Sequence, residues 1–168
     1  MSSLNIAFGG RMNSGKDTAV NHLLQRFPGT KHSFAKPLYE IQKYAQHKCG
    51  FPIEKDRLFL QFIGTEWART RDPNVWVRLA LRDVPHGNVF ISDLRFPNEF
   101  KALKEKNWFC VKITRRTLES REGHDAVNHI SENVVDAIPD DEWDAIISND
   151  SGIDSFYQKL DAMIMDLI

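Results

Sequence analysis

Cysteine is scarce: 168 residues hold only Cys49 and Cys110, and they form no C-x-x-C pair. A disulfide-stapled fold is excluded, and both side chains read as reduced thiols of a cytosolic protein. His124 and His129 lack ligand spacing to cysteine or to other histidines, so no zinc site is expected. No apolar run approaches the ~18 residues of a membrane span. Neither charge is in excess: Lys+Arg 22 against Asp+Glu 23 leaves a net charge of −1. A general DNA or RNA binder carries a basic surplus, so none is expected as a partner. Repeats, low-complexity linkers and a signal peptide are not visible, which leads us to expect one cytoplasmic domain with a full core.

What is present begins at Leu4 to Thr18, LNIAFGGRMNSGKDT. A short apolar strand runs into glycines, and Gly10, four residues, Gly15 and Lys16 fit the phosphate-binding loop G-x-x-x-x-G-K. Asp17 stands where Ser or Thr is usual, with Thr18 after it. Glycines let the backbone curl so that N–H groups point inward, and a following helix adds its N-terminal partial charge. Gly10, Asn13, Ser14, Gly15, Lys16, Asp17 and Thr18 are the candidate phosphate contacts. A glycine-rich turn with an exposed lysine is the plainer reading, but the strand before and the amphipathic helix behind favour a nucleotide site.

Further along, Lys31 to Ala35 reads as a second strand, and Lys36-Pro37 opens a helix, which makes Lys36 a candidate contact at a strand end. Lys55 to Val84 reads as all helical, with a break at Asp72-Pro73. It carries Trp67 and Trp76, Arg69 and four more arginines, and so looks like a substrate-binding arm: rings stack a base and guanidinium groups grip phosphate. A surface pair between Glu66 and Arg69 would explain those two residues equally well. Asn88 to Asp93 is a buried strand that ends in Ser92-Asp93, and Asp93 takes the Walker B position for Mg²⁺ or its waters. Arg95 follows, and either serves the site or pairs with Asp93. After the strand Trp108 to Thr114 come Arg115, Arg116 and Arg121 in a polar stretch that suits a closing lid or a solvated loop. The last strand, Trp143 to Ser148, ends at Asn149-Asp150, which either touches an adenine edge or caps the final helix.

Taken together, GRMNSGKDT (10–18), SFAKPL (33–38), LQFIGTEWAR (60–69), DPNVWV (72–77), ISDLRFPNE (91–99), HISE (129–132) and IISND (146–150) resemble the phage-type deoxynucleoside monophosphate kinases, in the same order along nearly the whole chain. Animal-type phosphomevalonate kinase looks like a more distant relative that shares the SGKD loop, the FA-x-x-L junction and SD-x-R. Lys36 departs from the acidic residue expected in FA-D-P-L.

The resemblance implies an α/β, three-layer P-loop kinase fold: a mainly parallel five-stranded sheet with helices on both faces. It implies one domain over 1–168, with a helical monophosphate-binding arm at about 37–86 and a lid at about 115–130. The reaction it implies is transfer of the ATP γ-phosphoryl group to a dNMP. Lys16, Asp93, Arg95 and Arg115 would be catalytic; Lys36, Trp67, Arg69, Trp76 and Arg95 would bind the dNMP; Arg115, Arg116 and Arg121 would form the lid. Asn149 and Asp150 would lie on the adenine side, and Asp17, Thr18 and Asp93 would organise Mg²⁺, through water or directly. A homodimer is compatible with this reading, as is a phage origin with residence in the host cytoplasm. The alternatives are a phosphomevalonate kinase-like enzyme and a nucleotide-binding module without transfer activity.

Overall fold

The computed structural model describes residues 3–116 and 134–168. Its chain forms two compact units, Met1–Lys31 with Pro85–Ile168, and His32–Val84.

The larger unit is built on a five-stranded, all-parallel sheet. Its strands are β1 (Asn5–Gly9), β2 (Gly29–His32), β3 (Asn88–Leu94), β4 (Phe109–Thr114) and β5 (Ala145–Ser148), in the order β2-β3-β1-β4-β5. β1 is central because it is buried on both faces: Ile6, Ala7 and Phe8 are all fully buried. Parallel strands covered on both sides read as continuous apolar runs, as NVFI and FCVKI do here.

Successive side chains alternate between faces. Ile6, Phe8, Phe90, Val111, Ile113 and Ile147 form one core with Ala19, Val20 and Leu23 of α1 (Lys16–Arg26) and Phe156, Leu160 and Ile164 of the last helix (Ile153–Met165). Each fully buried side chain of this size contributes about 1.5–3 kcal/mol relative to exposure. Pro97–Glu105 forms the helix between β3 and β4 and packs on β4, with the Phe100 and Trp143 rings 4.8 Å apart. Gly9 has no room for a side chain, since a Cβ there would lie 2.4 Å from the Trp143 ring.

The second strand differs from expectation. It spans Gly29–His32, and Ser33 to Ala35 instead make a turn, with the Ser33 hydroxyl accepting from the Ala35 N–H at 3.1 Å. Its first three residues are exposed, as befits an edge strand, so no apolar run marks its start.

The smaller unit is helical. α2 (Lys36–Cys49) ends at Gly50, whose φ of 69° is the left-handed stop glycine adopts readily. α3 (Arg57–Gln61) is capped by Asp56, which accepts from Phe59 N–H at 3.0 Å. It runs directly into a π-helix over Phe62–Arg69, and α4 (Val75–Arg82) follows the expected break. At that break Asp72 accepts from the Asn74 N–H at 2.9 Å and pairs with Arg78 at 2.5 Å. Buried Gln42 and Gln46 both donate to the Glu54 carbonyl, tying the 51–56 loop to α2. Among the described residues, no helix is long and apolar enough to cross a membrane.

Candidate active site

The loop between β1 and α1 has the geometry that binds anions. Gly10 sits at φ 142° and Gly15 at φ 113°. A Cβ on Gly10 would lie 2.3 Å from the Ile113 carbonyl oxygen, so only glycine lets the loop pass so close to β4. Asn13 takes the left-handed conformation at φ 59°. Gly15 precedes α1 without capping it by a side chain, and the N-terminus of a helix favours anions. Lys16 is buried and donates to the Gly10 carbonyl at 2.8 Å and the Arg11 carbonyl at 2.7 Å. Ser14 is buried beneath the loop.

A cavity of about 610 Å³ opens beside this loop. Asn13, Gly15, Lys16, Asp17 and Thr18 line one part of it, and Arg115, Asn149, Asp150 and Ile153 line another. It lies where the connections leaving β1 and β4 diverge, the usual ligand crevice of an open α/β sheet. The Arg115 guanidinium donates to the Asn13 carbonyl at 3.3 Å. Asn149 donates its side-chain amide to the Ser14 carbonyl at 2.9 Å. Asp150 accepts from the Arg116 backbone N–H at 2.7 Å and from its Nε at 3.2 Å. The backbone bond from Arg116 outweighs desolvation and, with the guanidinium, holds the Asp150 carboxyl below the usual carboxylate range. The last helix is preceded by Gly152, so neither Asn149 nor Asp150 caps it.

Asp17, which also lines this cavity, is bonded on the side of β2 and β3. Lys31 Nζ lies 2.6 Å from Asp17 Oδ1, and the Ser92 hydroxyl donates to the same oxygen at 2.7 Å. Desolvation pushes the Asp17 carboxyl up. The bonds from Lys31 and Ser92, with the charges of Lys31 and Lys16, outweigh it and hold the group below its ordinary value. Ser92 reaches α1 because β3 bulges: Ala7 pairs with Ile91 and Gly9 with Leu94, so Ser92 and Asp93 together oppose Phe8 alone. Bulges re-aim side chains and are common beside active sites. Asp93 is partly buried at this step. Six residues on, buried Glu99 accepts from the backbone N–H of Arg95 at 2.9 Å and of Phe96 at 3.0 Å, fixing the chain that carries Arg95.

The smaller unit separates its two tryptophans. Trp76 is 3% exposed, and its indole N–H donates to the Gly64 carbonyl at 2.8 Å. That places its ring in the interior, where it cannot offer a stacking face. Trp67 is 44% exposed on the π-helix, with the Arg71 guanidinium 4.7 Å over its ring. Arg69 is partly buried and reaches the Pro73 carbonyl at 3.5 Å. Gly64 is needed where the π-helix meets α2, since a Cβ there would come 2.8 Å from Leu38. Lys36 is exposed in the first turn of α2.

Lys31, Ser92 and Glu99 carry no role in the sequence reading. Lys31 and Ser92 are 14 and 75 residues from Asp17, so no spacing announces them. Glu99 was legible in principle, three residues beyond a helix start at Phe96. Arg121 and the HISE stretch at 129–132 lie outside the described residues, as does most of the expected lid.

No family model matches the chain. The chain is 28% identical over 182 aligned positions to a protein of Acanthamoeba polyphaga mimivirus named "Putative deoxynucleotide monophosphate kinase", covering 90% of this chain and 91% of that one. It is 36% identical over 168 positions to "Uncharacterized protein ORF77" of Ictalurid herpesvirus 1, covering 95% of this chain and 69% of that one. At that identity and coverage, the chain belongs to the family of the Ictalurid herpesvirus 1 ORF77 protein.

Proposed function

We propose that the protein is a deoxynucleoside monophosphate kinase: ATP + dNMP → ADP + dNDP. The observation that carries this reading is the cavity that joins the glycine-bounded loop and Lys16 to Arg115, Asn149 and Asp150. A polyphosphate tail fits the loop, and a nucleoside fits the adjoining space. The similarity to the mimivirus protein named for this activity supports the same substrate class.

The acceptor is an anionic phosphate oxygen, so its attack on the γ-phosphorus needs no strong base. Positioning and charge neutralisation supply the catalysis. Loop N–H groups and Lys16 hold the donor phosphates, with Lys16 exchanging its two loop carbonyls for phosphate oxygens. Arg115 stands beside Asn13, where it would neutralise charge on the transferring group. Arg95 is proposed for the acceptor phosphate, and Trp67 and Arg69 for dNMP recognition within the smaller unit. Trp76 acts there by holding the π-helix. Lys36 keeps an acceptor-side role.

The oxygen-only donor set of Asp17, Thr18, Ser92 and Asp93 fits Mg²⁺. No group of three or more His, Cys, Asp or Glu among the described residues forms a protein-only metal cage. Mg²⁺ is held by one or two carboxylates together with substrate phosphates. When bound, the ion would neutralise charge between the β- and γ-phosphates.

The test is ADP release over a panel of dNMPs, NMPs and phosphomevalonate. Stimulation by dNMPs, abolished by Lys16→Ala, is expected. Stimulation by phosphomevalonate alone would replace the reading, and ATP turnover that no acceptor stimulates would indicate a binding module.

A further inference from the structure

The strand order divides the carboxyl edge of the sheet into two flanks. Arg115 follows β4, and Asn149 and Asp150 follow β5, so the wall of the cavity that faces the loop lies on the β4–β5 side, while Asp17 lines its other edge. If that cavity holds the donor nucleoside, the acceptor oxygen must approach the γ-phosphorus from the opposite side, because entering and leaving oxygens are in line. The opposite side is the β3–β2 flank. There the structure presents Lys31 at the end of β2, bonded to the residue directly after Lys16.

We propose that Lys31 is a further acceptor-phosphate contact, with Asp17 as the counter-ion that holds it until the acceptor arrives. The proposal rests on the kinase reading and deepens it.

Three observations support it. Both donors to Asp17, Lys31 and Ser92, fall on Oδ1, so the carboxylate is anchored from the strand side and Lys31 is oriented by it. The pair is open to water: the Lys31 side chain is 41% exposed and that of Asp17 72%. An ion pair so exposed contributes little to stability, so Lys31 can trade a carboxylate for a phosphate dianion at small cost. Without a cation on this flank, a carboxylate one residue from the phosphate-binding lysine would repel the incoming acceptor. Lys31 removes that conflict.

The experiment uses the full chain as wild type, Lys31→Ala and Lys31→Arg, with thermal melting to confirm folding. Steady-state kinetics give separate KM values for ATP and for the best dNMP. In parallel, inorganic phosphate is titrated calorimetrically into protein saturated with a non-hydrolysable ATP analogue. Lys31→Ala should raise the dNMP KM about tenfold or more, the loss expected for a charge-assisted bond to phosphate. Its ATP KM should stay within about twofold, its phosphate affinity should fall in parallel, and Lys31→Arg should recover most of both. A folded Lys31→Ala with unchanged dNMP KM and phosphate binding overturns the role of Lys31 while leaving the kinase reading intact. A rise in ATP KM alone assigns Lys31 to the donor side and also overturns the proposal. If wild type shows no dNMP-stimulated ADP release, the kinase reading fails and the acceptor role of Lys31 falls with it.

Discussion

Asn149 and Ser14 are 135 residues apart in sequence, yet the Asn149 side-chain amide donates to the Ser14 carbonyl at 2.9 Å. The Asn149 backbone N–H also donates to the Thr114 carbonyl at 2.8 Å. One residue thus fastens the loop between β1 and α1 to the ends of β4 and β5. Asn149→Ala should lower stability by about 1 kcal/mol, the net worth of an intramolecular hydrogen bond, and under the kinase reading should raise the ATP KM. Asn149→Asp should be worse than alanine, because an ionised carboxylate cannot donate and would face a carbonyl oxygen. Thermal melts and ATP titrations of the two variants check the order.

Two glycines with positive φ should respond differently to alanine. Gly50 sits at φ 69° with open space around it, so Gly50→Ala should cost about 1–2 kcal/mol from backbone strain alone. Gly10 adds a collision with the Ile113 carbonyl oxygen. Gly10→Ala should therefore cost more in urea unfolding and, under the kinase reading, should also weaken ATP binding, which Gly50→Ala should leave unchanged.

The two tryptophans should divide stability from function. Trp76→Phe removes the bond to the Gly64 carbonyl inside the smaller unit and should destabilise by about 1–3 kcal/mol. Trp67→Ala, at an exposed position, should change stability by roughly 0.5 kcal/mol or less. Under the kinase reading it should raise the dNMP KM. Equilibrium unfolding and dNMP kinetics on both variants separate the two contributions.

Thiol chemistry should be confined to one residue. Cys49 is exposed at the end of α2, whereas Cys110 is fully buried in β4. Burial, reinforced by the charge of Asp144, pushes the Cys110 thiol up to about 12, so it stays protonated and unreactive at neutral pH. Maleimide under native conditions should label Cys49 alone, and Cys110 only after unfolding; mass spectrometry of peptides reads the result.

The Asp150–Arg116 tether should survive until strongly acidic pH. The carboxyl is lowered from 3.8 by the bond from the Arg116 N–H. A group with a depressed native pKa contributes fully above its unfolded value and loses that contribution as pH falls through the folded one. The Arg116 amide resonance should therefore titrate with a midpoint below 3.8, and this transition should vanish in Asp150→Asn.

β1, β3, β4 and the last helix were legible because burial on a sheet face or a helical stripe leaves a periodic apolar trace. β2 was displaced because Gly29, Thr30 and Lys31 are exposed and carry no such trace. Lys55 to Val84 was recognisable as helical, but not its π-helix, whose wider turn follows neither of the periods read from sequence. The loop from Gly10 to Thr18 announced itself because its chemistry is local. The triad of Asp17, Lys31 and Ser92 did not, because it is assembled by strand order and by a bulge. Trp76 was drawn to the substrate by residue type, and only packing shows where its ring lies.

The two carbonyl bonds that Lys16 makes within its own loop set the terms of ligand entry. Under the kinase reading, a phosphate arriving there would compete with these two acceptors, so binding would be a ligand exchange rather than a simple addition. On that reading, the loop's hold on a phosphate therefore depends on the Gly10 and Arg11 carbonyls that compete for Lys16 as well as on the lysine itself.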